Sequence, residues 1–212
     1  MSPTSRAAWM HASIFSILRC ARYIAATTLL ATASQVLAAD IIEEHQEIDG
    51  PFEDGVDVTL TCLECHADAA QDFMRTTHWT WEKYQEVPGK GHISFGKKNA
   101  INNFCIGIAS NWAYCTSCHA GYGWKDASFD FSNPERIDCL VCHDTTGEYA
   151  KSHVDAGMNM PGLDLERIAR SVGPTTRQSC GNCHFFGGGG HAVKHGDLTT
   201  ALIAPDRDFD VH

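Results

Sequence analysis

Hydrophobic and polar positions divide the chain into three regimes. From Ile24 to Ala39 runs an apolar stretch without a charge, ending in the small residues of Val36-Leu37-Ala38-Ala39. From about Leu60 to Tyr84 the composition favours helix, with Ala67, Ala69, Ala70, Phe73 and Met74 in sequence, and Val87-Pro88-Gly89 is expected to end it. Asp164 to Val172 reads as a second, short helix stopped by Gly173-Pro174. Elsewhere apolar residues are scattered, glycine is frequent, strand signals are sparse, and Gly187 to Gly190 form a four-glycine run that could let backbone approach a flat ligand. The expected class is mainly α with much irregular structure.

The first regime is preceded by Arg6, Arg19 and Arg22. Basic residues, an apolar run and a small-residue exit make residues 1–39 a secretory signal peptide, with cleavage after Ala38 or Ala39, and leave 40–212 as the mature domain. Met10 would give a more ordinary signal length than Met1. A retained membrane anchor is the rival reading, disfavoured because Thr27, Thr28, Thr32, Ser34 and Gln35 dilute a run that is already short for a span. Beyond Asp40 no apolar stretch is long enough to cross a bilayer, so the mature chain is not expected to be an integral membrane protein, and the periplasm or the exterior is its expected location.

Removing residues 1–39 takes three Arg and no acid, moving the formal charge from −10 to about −13. Such a surface argues against nucleic acid and suits redox partner proteins with positive patches. An exported chain with 10 cysteines first suggests disulfides, but the spacing points elsewhere. Cys20 lies in the signal, Cys105 stands alone, and the other eight form four Cys-x-x-Cys pairs.

Those pairs are Cys62-Leu-Glu-Cys65-His66, Cys115-Thr-Ser-Cys118-His119, Cys139-Leu-Val-Cys142-His143 and Cys180-Gly-Asn-Cys183-His184. Histidine follows every one, where chance would supply only about 0.03 such pentapeptides in a chain of this composition. Two thiols three residues apart can add to the two vinyl groups of one porphyrin, and the adjacent histidine then becomes the proximal iron ligand. Zinc ribbons or disulfides would use the pairs but do not require the histidines. The cofactors implied are four covalently bound haem c groups, and the expected fold is a multihaem cytochrome c fold of short helices wrapped around them. Residues 40–212 leave about 43 residues per haem, so the porphyrins must supply much of the buried apolar surface. Trp79, Trp81, Trp112, Trp124, Phe185 and Phe186 lie near the motifs and are expected to pack on or between them.

Each iron has a sixth position. His45, His78, His92, His153, His191, His195 and His212 lie outside the motifs and the signal, enough for bis-histidine ligation throughout. In a continuous helix His66 and His78 would lie roughly 18 Å apart along the axis, so His78 would serve a neighbouring haem. Bis-histidine iron is closed to substrate and suits electron transfer.

Longer segments carry a resemblance. Thr77-His78-Trp79-Thr80-Trp81, Cys115-Thr-Ser-Cys-His-Ala-Gly-Tyr-Gly-Trp-Lys-Asp126, Cys139-Leu-Val-Cys-His-Asp-Thr-Thr146 and Cys180-Gly-Asn-Cys-His-Phe-Phe-Gly-Gly-Gly-Gly190 strongly resemble the octahaem tetrathionate reductase family. The match runs from about Gly50 to the C-terminus and covers the first, four-haem half of that family's length. It implies a fold shared with multihaem nitrite reductase and hydroxylamine oxidoreductase relatives. It also implies a lysine as sixth ligand at the second motif's haem, here Lys194, with Asn102 and Cys105 beside it. Lysine ligates only as the neutral amine, and a weakly held ligand leaves that iron as the place for substrate. A nearby thiolate could assist cleavage of a sulfur–sulfur bond. Lys97, Lys98 and Lys125 are weaker rivals for the ligand role. The family carries Asp where this chain has His191, which alters the charge beside that site.

The function expected first is therefore an exported electron carrier. The alternative is a reductase of tetrathionate, nitrite or hydroxylamine at the Lys194-ligated haem, acting on a small sulfur or nitrogen oxyanion. A third expectation is a homo-oligomeric haem wire, built head to tail if His212 or His45 ligates a haem of the next subunit.

Overall fold

The computed structural model describes residues 45–185, 187, 190, 191 and 193–210. The expected signal segment, Phe186, Gly188, Gly189 and His212 lie outside the described residues. The described elements are short. Helix α1 spans Gly55–Phe73, followed by α2 (Thr77–Thr80), strands β1 (Lys83–Val87) and β2 (Gly91–Phe95), and then α3 (Trp112–Cys115), α4 (Leu140–His143), α5 (Leu165–Arg170) and α6 (Arg177–His184). Single 3-10 turns fill in at Ile108–Ser110, Thr116–Cys118, Pro134–Arg136 and Thr200–Ile203.

Asp54 starts α1, its side chain accepting from the backbone N–H groups of Val56 and Asp57 at 2.8 and 3.3 Å. The helix does not run to Tyr84 as its composition suggested. His66 leaves helical geometry (φ −113°, ψ 30°), Thr76 is extended, and Trp81 closes α2 in the left-handed region at φ 53°. No glycine or proline marks these breaks. Tertiary bonds hold the chain there instead: Trp79 donates its indole N–H to the Phe131 carbonyl at 2.8 Å, and Lys98 N–H donates to the Trp81 carbonyl at 3.1 Å.

Val87-Pro88-Gly89 turns a hairpin instead of ending a helix. Strands β1 and β2 pair antiparallel in the register Lys83↔Phe95 through Val87↔Gly91. Gly89 and Gly91 take φ of 77° and 73°, which L side chains rarely adopt. Most of the hairpin is exposed on both faces, Tyr84 at 78%. It therefore lacks the alternation by which a half-buried strand shows itself in sequence. Helix α5 forms where expected, capped by Asp164 and ending before Gly173-Pro174. Helix α6 carries a capping box between Thr176 and Ser179.

Among the described residues the core is three small apolar clusters. The first gathers Val58, Leu140, Val141, Tyr149, Leu165 and Ile168; the second Trp81, Ile108, Cys115 and Trp124; the third Ala70, Trp79 and Ile137. Motif cysteines edge every cluster: Cys62, Cys142 and Cys183 the first, Cys118 the second and Cys139 the third.

Candidate functional site

Each of the four motifs sits on a short helical segment. Cys62 and Cys65 lie on α1 with His66 at its kink, and Cys115 ends α3, with Cys118 in the following 3-10 turn. Cys142 and His143 close α4, directly after Cys139, while Cys180, Cys183 and His184 close α6. One helical turn puts both thiols and the histidine on adjoining sides of the backbone, as attachment to a single porphyrin requires.

The histidines are oriented by what their other nitrogen meets. His143 Nδ1 donates to the Gly173 carbonyl at 2.9 Å, and His184 Nδ1 to the Gly196 carbonyl at 2.6 Å. A backbone carbonyl on Nδ1 fixes the tautomer and leaves Nε2 as the lone-pair nitrogen for a metal. Two further histidines outside the motifs stand opposite motif histidines. His45 and His66 have ring centroids 6.1 Å apart at 14°, and His78 and His184 have centroids 6.1 Å apart at 86°. Two imidazoles sharing one iron would have centroids about 6.2 Å apart, taking ~2.0 Å for each metal–nitrogen bond and ~1.1 Å from nitrogen to ring centre. Both pairs match that spacing. His78 thus lies against the fourth motif and not the first, and burial beside His184 holds its pKa below the usual imidazole value.

His119 differs from the other three. It is fully buried among Trp79, Trp81, Trp124, Phe129 and Phe131, with ring centroids between 5.0 and 5.9 Å from its own. Its Nε2 lies 2.7 Å from the Trp79 carbonyl, and its Nδ1 is buried with no hydrogen-bond partner among the described atoms. Burial drives its pKa down to about 3, against the raising effect of the Trp79 bond, so the ring stays neutral as a metal ligand must be. A buried nitrogen without a partner is costly and rare.

The cysteines of different motifs meet. Cys62 and Cys139 lie within hydrogen-bonding reach of each other, as do Cys118 and Cys183. The bond from Cys183, with Lys97 and Lys194 nearby, lowers the Cys118 pKa to about 5 despite burial. Burial and the Asp138 charge raise Cys142 to about 11.

The residues that the resemblance placed around the second motif come together in part. Lys194 is buried (8% exposed), its ammonium 3.2 Å from the Gly187 carbonyl and 4.5 Å above the Tyr114 ring. Among the described residues no carboxylate forms an ion pair with it. Asn102 is buried and accepts from His195 N–H at 3.1 Å, joining its loop to the Lys194 segment. Cys105 N–H donates to the Asn102 carbonyl at 2.8 Å, and Cys105 itself is exposed at φ 64°. Lys194 adjoins Cys118, whereas His119 faces the aromatic cage. Of the rival lysines, Lys98 and Lys125 are ion-paired with Glu82 and Asp155, and Lys97 lies over the Trp81 ring.

The remaining histidines serve local contacts. His153 Nδ1 lies 3.3 Å from Ser117 Oγ, His195 Nε2 donates to the Ile101 carbonyl at 2.9 Å, His191 Nδ1 accepts from Thr200 N–H, and His92 is on the exposed hairpin. Sequence reading missed the buried polar cluster between the second and third motifs, where Asp138, Lys151, Tyr122 and Tyr149 bond to one another. Its one sequence clue is an acid directly before Cys139.

Haem fits this donor set. A histidine follows each thiol pair, His143 and His184 oriented by carbonyls and His119 buried, two more histidines stand at axial spacing, and cysteines edge every apolar cluster. Among the described residues no three or more His, Cys, Asp or Glu side chains converge as a site for a metal ion, and no helix is long and apolar enough to cross a membrane.

No protein-family model matches the chain. An uncharacterised protein of Archaeoglobus fulgidus is 24% identical over 202 residues, covering 72% of this chain and 68% of that protein. The crystal structure of octahaem cytochrome c from Shewanella oneidensis superposes with a TM-score of 0.71 at 51% identity, over 79% of this chain. The chain spans 37% of the length of that structure. Over the portion the two share, the chain has the fold of a multihaem c-type cytochrome, mainly helical with much irregular structure, and is similar to octahaem cytochrome c.

Proposed function

We propose that residues 40–212 form an exported carrier holding four haem c groups, one at each motif, that passes single electrons between acidic-surface-compatible redox partners. The observation that carries this reading is the pair of 6.1 Å centroid separations, His45 with His66 and His78 with His184. Both fit closed, bis-histidine axial sites. When bound, haem c supplies a one-electron Fe(III)/Fe(II) couple.

The chain's own residues do the rest. Cys62 and Cys65, Cys115 and Cys118, Cys139 and Cys142, and Cys180 and Cys183 hold the groups. The Gly173 and Gly196 carbonyls orient His143 and His184. Trp79, Trp81 and Trp124 keep water from His119. Sulfur contacts between Cys62 and Cys139 and between Cys118 and Cys183 set the first attachment site beside the third, and the second beside the fourth. His78, carried on α2 after the first motif, reaches the fourth, so ligands supplied across segments lock the sites into one rigid set. Net acidic charge favours partners with positive patches.

The test is mass and spectrum together. Mature protein from a cytochrome c-maturing host should weigh the polypeptide from Asp40 or Ala39 plus four haems and give low-spin spectra for the sites of His66 and His184. Colourless protein, or a mass of bare polypeptide, refutes the reading.

A second reading, reduction of tetrathionate, nitrite or hydroxylamine at the second motif, is favoured by Lys194. A lysine this buried, without a described carboxylate partner and beside Cys118, is placed to serve as a metal ligand. Exchange of its amine would open the position to a small oxyanion, with Asn102 and Cys105 on the adjoining loop. Lys194→Ala with four haems retained should abolish that reduction. Unaltered rates and unaltered cyanide binding would leave the carrier reading alone.

A further inference from the structure

We infer that Asp138 and Lys151, an ion pair buried between the second and third attachment segments, act as a fixed dipole that biases electrons toward the second haem. The inference rests on the four-haem reading above. The two segments lie side by side: Gly121 pairs with Ile137 in an antiparallel bridge, and Asp138 N–H donates to the Ala120 carbonyl at 3.1 Å. Between them the two side chains meet at 2.8 Å, Lys151 only 7% exposed and Asp138 wholly buried.

Asp138 belongs to the third segment, although Tyr122 also reaches it from the second, and the carbonyls that Lys151 bonds are on the second. Asp138 immediately precedes Cys139, and its Oδ1 accepts from Val141 N–H at 3.0 Å, at the start of the helix that carries Cys142 and His143. Lys151 donates to the His119 carbonyl at 2.7 Å and the Gly121 carbonyl at 3.1 Å, on the second segment. The negative end therefore sits at the third motif and the positive end at the second. Tyr122 donates to Oδ1 at 2.8 Å, Tyr149 donates to Oδ2 at 3.0 Å, and the two hydroxyls lie 2.9 Å apart. With every acceptor position of the carboxylate occupied, neither charge can turn away, and a buried dipole is little screened by salt.

Positive charge favours the reduced state of a nearby iron, and negative charge the oxidised state. With haem bound at both motifs, one electron would pass from the iron held at His143, Fe(II) to Fe(III), to the iron held at His119, Fe(III) to Fe(II), with no proton transferred and no bond changed. The dipole makes that transfer more favourable than it would be between neutral segments. A clamp that only held the segments together would give no such sign.

The double variant Asp138→Asn/Lys151→Met tests this, because removing both charges leaves no unpaired buried ion. Mass spectrometry first counts haems; fewer than four in the wild-type protein sinks the underlying reading and not the dipole by itself. A redox titration followed through the haem methyl NMR signals then resolves individual haems. The expected result is a fall in the second haem's potential relative to the third, seen as a severalfold loss in the share of electrons on the second haem at half reduction. An unchanged or increased difference overturns the dipole. Should the double variant lose haem, Asp138→Asn alone decides: the third haem's potential must rise more than the second's, and an equal rise or none overturns the inference.

Discussion

Replacing His78 by alanine tests the central geometry most directly. The His78 and His184 centroids lie 6.1 Å apart, near the ~6.2 Å of two imidazoles sharing one iron, and the rings are almost perpendicular at 86°. Removing the His78 ring takes away one axial nitrogen and leaves the second, because His184 stays anchored through Nδ1 to the Gly196 carbonyl. His78 is carried by a helix of only four residues, so no other side chain of that helix can be moved into the gap without unwinding it. One iron in four should become high-spin, so about one quarter of total iron should move to the high-spin EPR signal. The variant should also bind one more cyanide per molecule than the wild-type protein. Integrated EPR and a cyanide titration measure both, with His92→Ala on the exposed hairpin as the control that changes neither. A fully haem-loaded His78→Ala protein with wild-type spin distribution and cyanide stoichiometry would refute the pairing of α2 with the fourth motif.

Tyr122→Phe removes one donor from the fully buried Asp138 carboxylate, a charged hydrogen bond whose loss costs about 1.5–3 kcal/mol. Denaturant unfolding followed by circular dichroism should show that loss, and a stability within about 0.5 kcal/mol of wild type would contradict it. Gly121→Ala would set a methyl 2.8 Å from the Arg136 carbonyl and the Trp79 ring and 2.9 Å from His119 Nδ1, so it should lower thermal stability and disturb the second haem's spectrum. An unperturbed spectrum in that variant would mean the aromatic cage is looser than its packing implies. The Lys98 bond, followed by the Ser94 bond and the Lys98 charge, lowers the Glu82 pKa below its ordinary value. A depressed folded-state value means stability that is present above the unfolded carboxylate pKa and lost as pH falls through the folded one. Wild-type protein should therefore lose part of its thermal stability on acidification where Glu82→Gln does not, and parallel melting curves for the two would count against the Glu82–Lys98–Ser94 contact.

How far the sequence discloses this structure depends on where the determining contacts lie. The four motifs are wholly legible, because covalent chemistry fixes thiol and histidine spacing within five residues. Helix α5 is legible for the same local reason, with Asp164 before it and Gly173-Pro174 after it. The end of α1 is not, since it is set by Trp79, whose indole reaches Phe131, 52 residues along the chain. The hairpin escapes notice because exposure on both faces leaves no period-two pattern to read. For the site, seven spare histidines can be counted, but partners cannot be chosen. His78 meets His184 across 106 residues, and no local pattern encodes that meeting. Lys151 has no sequence mark at all; only its approach to the His119 and Gly121 carbonyls reveals it.

These gaps share a cause in how the domain is held together. Four of the six described helices have four or six residues, too short to persist alone when isolated helices below about 12–15 residues are marginal. The apolar clusters are small and separate, and each has motif cysteines at its margin. Ordinary sequence patterning works when a polypeptide buries its own apolar face against itself. Here the faces converge on the attachment sulfurs, so the surface that completes each cluster is the one the thiols would carry, and the pattern in the sequence is only half of the pattern that folds. The buried Asp138–Lys151 pair fits the same account. An ion pair is a poor way to stabilise a core and an effective way to fix the relation between two segments, since any shift would strand a charge away from water. Where two redox sites must keep one separation and one electrostatic offset, that intolerance of movement is what the fold needs.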